Sequence, residues 1–157
     1  KKIMNKINIA IFKKVLSKFA TGITVVTINY EGKYIGKTVN SFSALSLNPP
    51  LVLFSLDNKA SSINKFKNSK FLCINILGKK QINISNNFAK KNAIWKNTKF
   101  ELSEYKTPII KSSLANLECK KIKLLKEGDH IIFICKVIRA SYNDKLKPLL
   151  YFNSNYI

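Results

Sequence analysis

The chain has 157 residues, 46% of them hydrophobic and 11% aromatic, which is enough apolar material to fold around a core of its own. A formal net charge of +20, from 28 basic and 8 acidic residues, points towards anionic partners: nucleic acid, an anionic membrane face or anionic small ligands. Sequence-specific nucleic-acid recognition is disfavoured, because Arg139 is the only arginine and the lysines are spread along the whole chain instead of clustering. Lys, Asn and Ile also share A/T-rich codons, so base composition is a second source of the charge.

In chain order, "KKIMNKINIAIFKKVLSKF" places Ile7, Ile11, Val15, Leu16 and Phe19 at helical spacing and reads as a first helix. It lacks the apolar stretch of a signal peptide. Its basic, acid-free composition also suits a transit peptide, but the periodicity favours an ordinary helix. "GITVVTINY" is β-branched and reads as a strand; "EGK" is a turn, and "KYIGKTVN" returns as the second arm of a hairpin. "SFSALSLNPP", small, hydroxyl-rich and ending in two prolines, predicts a loop. "LVLFSL" follows as a buried strand. "DNKASSINKFKNS" is a loop entering a short helix with Ile63 and Phe66 turned inward, and "KFLCINILG" is another buried strand. Residues 79–111 are polar and aromatic, with a short helix in "QINISNNFAK" and irregular chain around Trp95. From Ser112 to Tyr142 the pattern predicts two long strands turning near "KEGD", and "KPLLYF" is a last short strand.

Six or seven strands, short connections and no regular alternation with helices predict a mainly β fold. The expected architecture is an antiparallel barrel, closed or partly closed, with peripheral helices, in one domain spanning residues 1–157. No apolar run approaches the ~18 residues of a membrane span, so no membrane association is expected. Cys73, Cys119 and Cys135 have no CxxC spacing, which rules out zinc-ribbon and thioredoxin-type readings. Cys73 and Cys135 lie on strand-like apolar runs and read as buried thiols, consistent with a reducing, cytoplasmic setting.

Several chemistries are absent from the sequence. There is no GxGxxG after a strand, no GxxxxGK[ST], no GxSxG and no paired carboxylates, and the single histidine cannot build a histidine-rich metal site. Two segments remain. "TVNSFSALSLNPP" gathers Thr38, Asn40, Ser41, Ser43 and Ser46, short hydrogen-bonding side chains suited to the edge of a polar, uncharged ring or chain; they equally suit a turn that satisfies its own backbone. "DNKASSINKF" places Lys59, Ser61 and Ser62 where a helix is expected to begin, a plausible phosphate site as well as an ordinary N-cap. His130, in "KEGDHIIFIC", stands between an acidic turn and an apolar strand.

"FKKVLSKFATGITVVT", "GKTVNSFSALSLNPPLVLFSLDNKASS", "FLCINIL", "QINISNNFA", "EGDHIIFICKV" and "PLLYFNSNY" occur in this order, from about Phe12 to Tyr156. Together they resemble the flavin reductase family of FMN-binding split barrels, the small reductase components of two-component flavin monooxygenases of the 4-hydroxyphenylacetate hydroxylase type. The resemblance implies an antiparallel Greek-key split barrel that reduces FMN, or FAD, with NADH or NADPH and supplies a partner monooxygenase. It implies a homodimer with its site near the subunit interface. Carried over by motif, Thr38, Val39, Asn40 and Ser41 line the isoalloxazine, Ser46 lies towards the phosphate, and Asp57, Lys59 and Ser61 hold the ribityl phosphate. Gly128, Asp129 and His130 correspond to a GDH motif whose histidine approaches the nicotinamide, and Tyr151 to an aromatic position near the same pocket. His130 is expected to position the nicotinamide amide or its pyrophosphate rather than to carry an obligatory proton. Departures from the family pattern are Lys37, where a small or apolar residue is usual, Cys135 in place of glycine, and Ser154 near a usual glycine. An FMN-binding split barrel without reductase activity is the alternative.

Overall fold

The structure, a computed structural model, describes residues 6–157. Among the described residues the elements are α1 (Ile9–Leu16), β1 (Thr21–Gly22), β2 (Thr24–Tyr30), β3 (Lys33–Val39), β4 (Ser43–Ser46), β5 (Leu51–Asp57), α2 (Ile63–Asn68), β6 (Phe71–Ile76), α3 (Ile82–Ala89), β7 (Phe100–Leu102), β8 (Pro108–Ile110), β9 (Ala115–Glu127), β10 (His130–Tyr142), β11 (Leu150–Phe152) and β12 (Asn155–Tyr156). Seven strands form one antiparallel sheet in the order β3-β2-β6-β9-β10-β5-β4. The path is non-sequential in the Greek-key manner: the chain leaves β3 at one edge, enters β4 and β5 at the other, and returns to β6 beside β2. The mainly β, antiparallel split barrel expected from the sequence is the observed fold.

β2 reads as a continuous apolar run because both its faces are covered. Val26 and Ile28 point into the barrel with Phe54, Leu72, Ile74 and Phe133. Val25 faces the other way, into a second apolar cluster with Phe88, Leu77 and Leu149. α2 plugs the barrel with Ile63 and Phe66, the two residues its spacing predicts to turn inward. Phe66 meets Phe133 edge-on, and Phe133 stacks on Phe54 at 4.9 Å. Two register shifts between β9 and β10, at Ile134/Cys135 and Val137/Arg139, add the local bend that curls so long a hairpin around the core.

The two edges of the sheet are joined by a side chain. Ser41, on the link from β3 to β4, accepts from the Ser55 amide at 2.9 Å and donates to the Ser55 carbonyl at 3.0 Å. One hydroxyl thus replaces a rung of ladder between β3 and β5.

Several elements differ from the sequence-based expectation: the short strands β1, β7, β8 and β12, all outside the seven-stranded sheet, are not among those expected, and β4 and α1 differ as follows. "SFSALSLNPP" contains β4, which pairs with β5. It is an edge strand with little burial on either face, so selection for apolar alternation is absent and its composition looks like loop. The first helix starts later than its periodicity suggests, capped by Asn8, whose side chain accepts from the amides of Ala10 and Ile11. Ile7 and Phe19 fall outside it, and none of its residues is buried; the expected first five residues of that segment lie outside the described residues.

Candidate functional site

Segments far apart in sequence meet at one end of the barrel. β5 ends at Asp57 and β10 begins at His130, and the ladder sets these two residues opposite each other. The Asn58 amide donates to the Asp129 carbonyl at 2.9 Å, locking the β5–α2 turn against the β9–β10 turn. The β9–β10 turn is tight because only Gly128 and Asp129 separate the paired Glu127 and His130. Gly128 has φ 59°, the left-handed conformation that glycine adopts at the first position of a two-residue hairpin loop. The Ser41 clasp reaches β5 at Ser55, two residues or roughly 7 Å along the strand from Asp57.

Beyond this turn lies a cavity of about 500 Å³ lined by Lys37, Lys59, Ala60, Ser61, Ala89 and Lys91. It is built from β3, the β5–α2 turn and the end of α3. No carboxylate lines it. The backbone amides of Ser61 and Ser62 find no partner among the described residues, and the Ser62 side chain makes no capping bond to α2. α2 has only six residues and starts at Ile63, so a helix dipole adds little; ammonium, hydroxyl and amide donors carry the attraction. A wall rich in donors and free of carboxylates fits an anion such as a phosphate. Asp57 does not face it as a ligand: its carboxylate accepts from the Lys59 amide at 2.8 Å and shapes the turn.

The β3 residues divide by face. Thr38 donates to the Ser85 carbonyl of α3 at 2.7 Å, and Ser85 in turn bonds the Tyr156 hydroxyl at 2.8 Å. Val39 is buried in the barrel core, with its carbonyl taken by Thr24. Asn40 is exposed and its side chain is uncommitted among the described residues. Ser46 sits on edge strand β4 opposite Leu51, away from the cavity. Tyr151 packs in the second apolar cluster, edge-on to Tyr156 at 5.5 Å. The structure therefore gathers Lys59 and Ser61 around Lys37, sets Asp57 beside His130, and gives Thr38, Val39, Ser41 and Tyr151 structural bonds or packing. Sequence reasoning missed Lys91; the "AKK" at and just beyond the end of α3 was the available signal for it.

His130 is half-exposed at the rim. Its Nδ1 lies 2.7 Å from Asp129 Oδ1. The hydrogen bond from His130, then its charge, hold the Asp129 carboxyl below the usual carboxylate range. Asp129 is thus an anion at neutral pH and can only accept, so Nδ1 carries the proton and Nε2 presents a lone pair outward when the ring is neutral. The thiols are not reactive groups: burial pushes Cys73 and Cys135 up to about 12, and Cys119 upward as well. Among the described residues no group of three His, Cys, Asp or Glu is placed to hold a metal ion.

Residues 16–157 match the family described as the flavin reductase like domain. The chain is 35% identical over 133 residues to "FMN reductase (NADH) SmoA" of Agrobacterium fabrum, covering 85% of this chain and 76% of that protein. It is 35% identical over 148 residues to the "Flavin-dependent monooxygenase, reductase subunit HsaB" of Mycobacterium tuberculosis, covering 92% and 79%. Among solved structures, "Flavin reductase PheA2 in native state" superposes with a TM-score of 0.90 at 36% identity, covering 96% of this chain and 97% of that one.

Proposed function

Because the chain belongs to the flavin reductase-like family, we propose that it is an NAD(P)H:flavin oxidoreductase that delivers reduced flavin to a partner monooxygenase component. The observation that carries this is the pairing of a lysine-lined, carboxylate-free cavity with a histidine–aspartate pair one strand rung from the turn that lines it. When bound, the flavin supplies the ring that accepts a hydride and the nicotinamide supplies the hydride. Lys37, Lys59 and Lys91, with Ser61, bind and orient the flavin phosphate. Asn40 and the backbone from Thr38 to Ser41 face the ring edge, on a strand held rigid by the Thr38–Ser85 bond and the Ser41 clasp. His130 positions the nicotinamide: its outward Nε2 accepts from the carboxamide, while Asp129 holds the ring in the tautomer that leaves that lone pair free. Val39 and Tyr151 support the site through packing, and Ser46 through the β4–β5 edge.

The lysine-rich surface attracts the anionic flavin and nicotinamide nucleotides, an effect that weakens with salt. A homodimer completes the molecule. In a single chain α1 buries nothing, and Phe19 and Leu47 are 80% and 94% exposed, surfaces that a second copy covers. Three free, buried thiols suit the reducing cytoplasm. Steady-state NADH and NADPH oxidation with FMN, FAD and riboflavin in turn is the test. Acceleration by a phosphorylated flavin supports the reading; flavin binding without acceleration leaves a flavin-binding barrel and refutes it.

A further inference from the structure

The outer face of the sheet carries another cavity, which shares no residue with the lysine-lined one. It has a volume of about 670 Å³ and lies between the β7–β8 hairpin and strands β9 and β10. Its charge is of the opposite kind. Glu101, Glu104 and Glu118, three of the chain's eight acidic residues, line it with only two cations, Lys111 and Arg139. Two of the carboxylates are matched at the exposed rim, Glu101 by Lys111 at 3.9 Å and Glu104 by Arg139 at 3.5 Å. Both pairs are long and solvated, and hold little.

Glu118 is different. It is 7% exposed, and its carboxylate has neither a hydrogen bond nor an ion pair among the described residues. Leu117 and Cys119, its neighbours in sequence, pack against the barrel core, which turns Glu118 to the outer face. Its oxygens are not sealed there: among the described residues only the Thr21 hydroxyl is enclosed without a partner, so the Glu118 carboxylate opens on the cavity. The polar groups around it are engaged elsewhere. Cys73, opposite it on β6, directs its thiol to Asn75 Oδ1 at 3.5 Å. Asn116, two residues along the same face, donates to Asn75 Oδ1 at 2.8 Å. Arg139, opposite it on β10, reaches out to Glu104. A carboxylate this far from water is costly unless a cation pairs with it.

We propose that this cavity binds the ammonium group of a small primary alkylamine, with Glu118 as its counter-ion. An ammonium brings three N–H donors. The Glu118 carboxylate takes the first, and the Ser112 and Ser141 hydroxyls, on the same wall and uncommitted among the described residues, are acceptors for the others. Leu102 and Ile109 of the β7–β8 hairpin give the cavity an apolar side for the alkyl chain. A metal ion fits less well, because no three His, Cys, Asp or Glu among the described residues are grouped to hold one. The volume lies within the roughly 300–1,000 Å³ of small-molecule sites. The inference is independent of the flavin reading, since the two cavities have no residue in common.

NMR titration of the full chain with butylammonium chloride tests this without flavin or turnover. Saturable shifts are expected at the amides of Glu118 and Ser141. Tetramethylammonium, equal in charge but without N–H donors, is expected to bind at least about tenfold more weakly. Glu118→Gln keeps the shape and removes the charge. It is expected to lose at least about tenfold in butylammonium affinity and to melt no lower than the wild type, because an unpaired buried charge goes with it. Absence of saturable butylammonium binding by the wild type overturns the proposal. Equal binding of the two cations also overturns it, since a diffuse negative field then suffices. A Glu118→Gln protein that melts well below the wild type, or does not fold, overturns it by giving the carboxylate a partner within the chain. A lysine of a second copy brings the same ammonium group; if Glu118→Gln turns a dimer into a monomer in light scattering, that lysine is the occupant and the free amine is not.

Discussion

Gly36 is the tightest point of the site's framework, and Gly36→Ala is the substitution that probes it. A Cβ at this position meets the Phe88 ring at 2.6 Å (Cδ1), 2.8 Å (Cε1) and 3.2 Å (Cγ). Carbon contacts are ordinarily about 3.5–4.0 Å, so α3 must withdraw from β3 by about 1 Å or the ring must turn. The ring has little freedom: Phe88 is fully buried and flanked by Trp95. Overpacking of this kind costs about 1–3 kcal/mol, and a loss of about 2 kcal/mol lowers Tm by roughly 4–8 °C in a protein of this size. α3 also carries Ser85, the acceptor for Thr38, and Ala89 on the cavity wall, with Lys91 just beyond. Its displacement should therefore weaken phosphate-bearing flavins more than riboflavin, by about 1 kcal/mol or a factor of about five. Thermal unfolding and flavin titration read the two effects, and Phe88→Leu in the Gly36→Ala background should recover part of the lost Tm by vacating the clash. A Gly36→Ala protein with wild-type Tm and FMN affinity, or a double variant no more stable than the single, would refute the close approach as what positions α3.

His130→Ala should raise KM for NADH about tenfold, a lost hydrogen bond of about 1.4 kcal/mol, while flavin Kd stays within about twofold; loss of flavin affinity with unchanged NADH kinetics would reverse the assignment. Asp129→Asn should move KM in the same direction by less, because it frees the tautomer without removing the ring, and Asp129→Glu should partly restore it. The native thiols should not react with a disulfide reagent at neutral pH and should all react in denaturant. Their folded values are raised above the ordinary 9.0, so the stability they contribute is complete below that value and is lost as pH rises towards about 12; alkaline unfolding titrations check the sign. Leu47→Asp and Phe19→Asp should shift the protein from dimer to monomer in light scattering; a wild type that is monomeric at all concentrations would remove the proposed interface.

Much of the barrel was legible because its signals are local. The β-branched run of β2, the apolar runs of β5 and β6 and the glycine turn between β9 and β10 announce themselves within a few residues. Ile63 and Phe66 are three apart on a short helix, and both are buried as that spacing requires. β4 was not legible, because an exposed edge strand needs no apolar alternation. The exposure of α1 was not legible either. Its periodicity says which residues share a face, and not whether the same chain supplies anything to cover that face.

The sequence by itself determined the main strands of the barrel, the buried character of Cys73 and Cys135, and a set of candidate polar residues in motifs that resemble the family's. Only the tertiary structure decided which of those residues are free to serve. Thr38, Ser41 and Asp57 spend their polar atoms on a helix carbonyl, on the barrel seam and on a turn, whereas Lys37, Ser61 and Lys91 converge on one cavity from three separate elements. The physical reason is that a hydroxyl or a carboxylate is committed by whatever lies opposite it, and in this barrel the opposite group is supplied by a strand or helix tens of residues away.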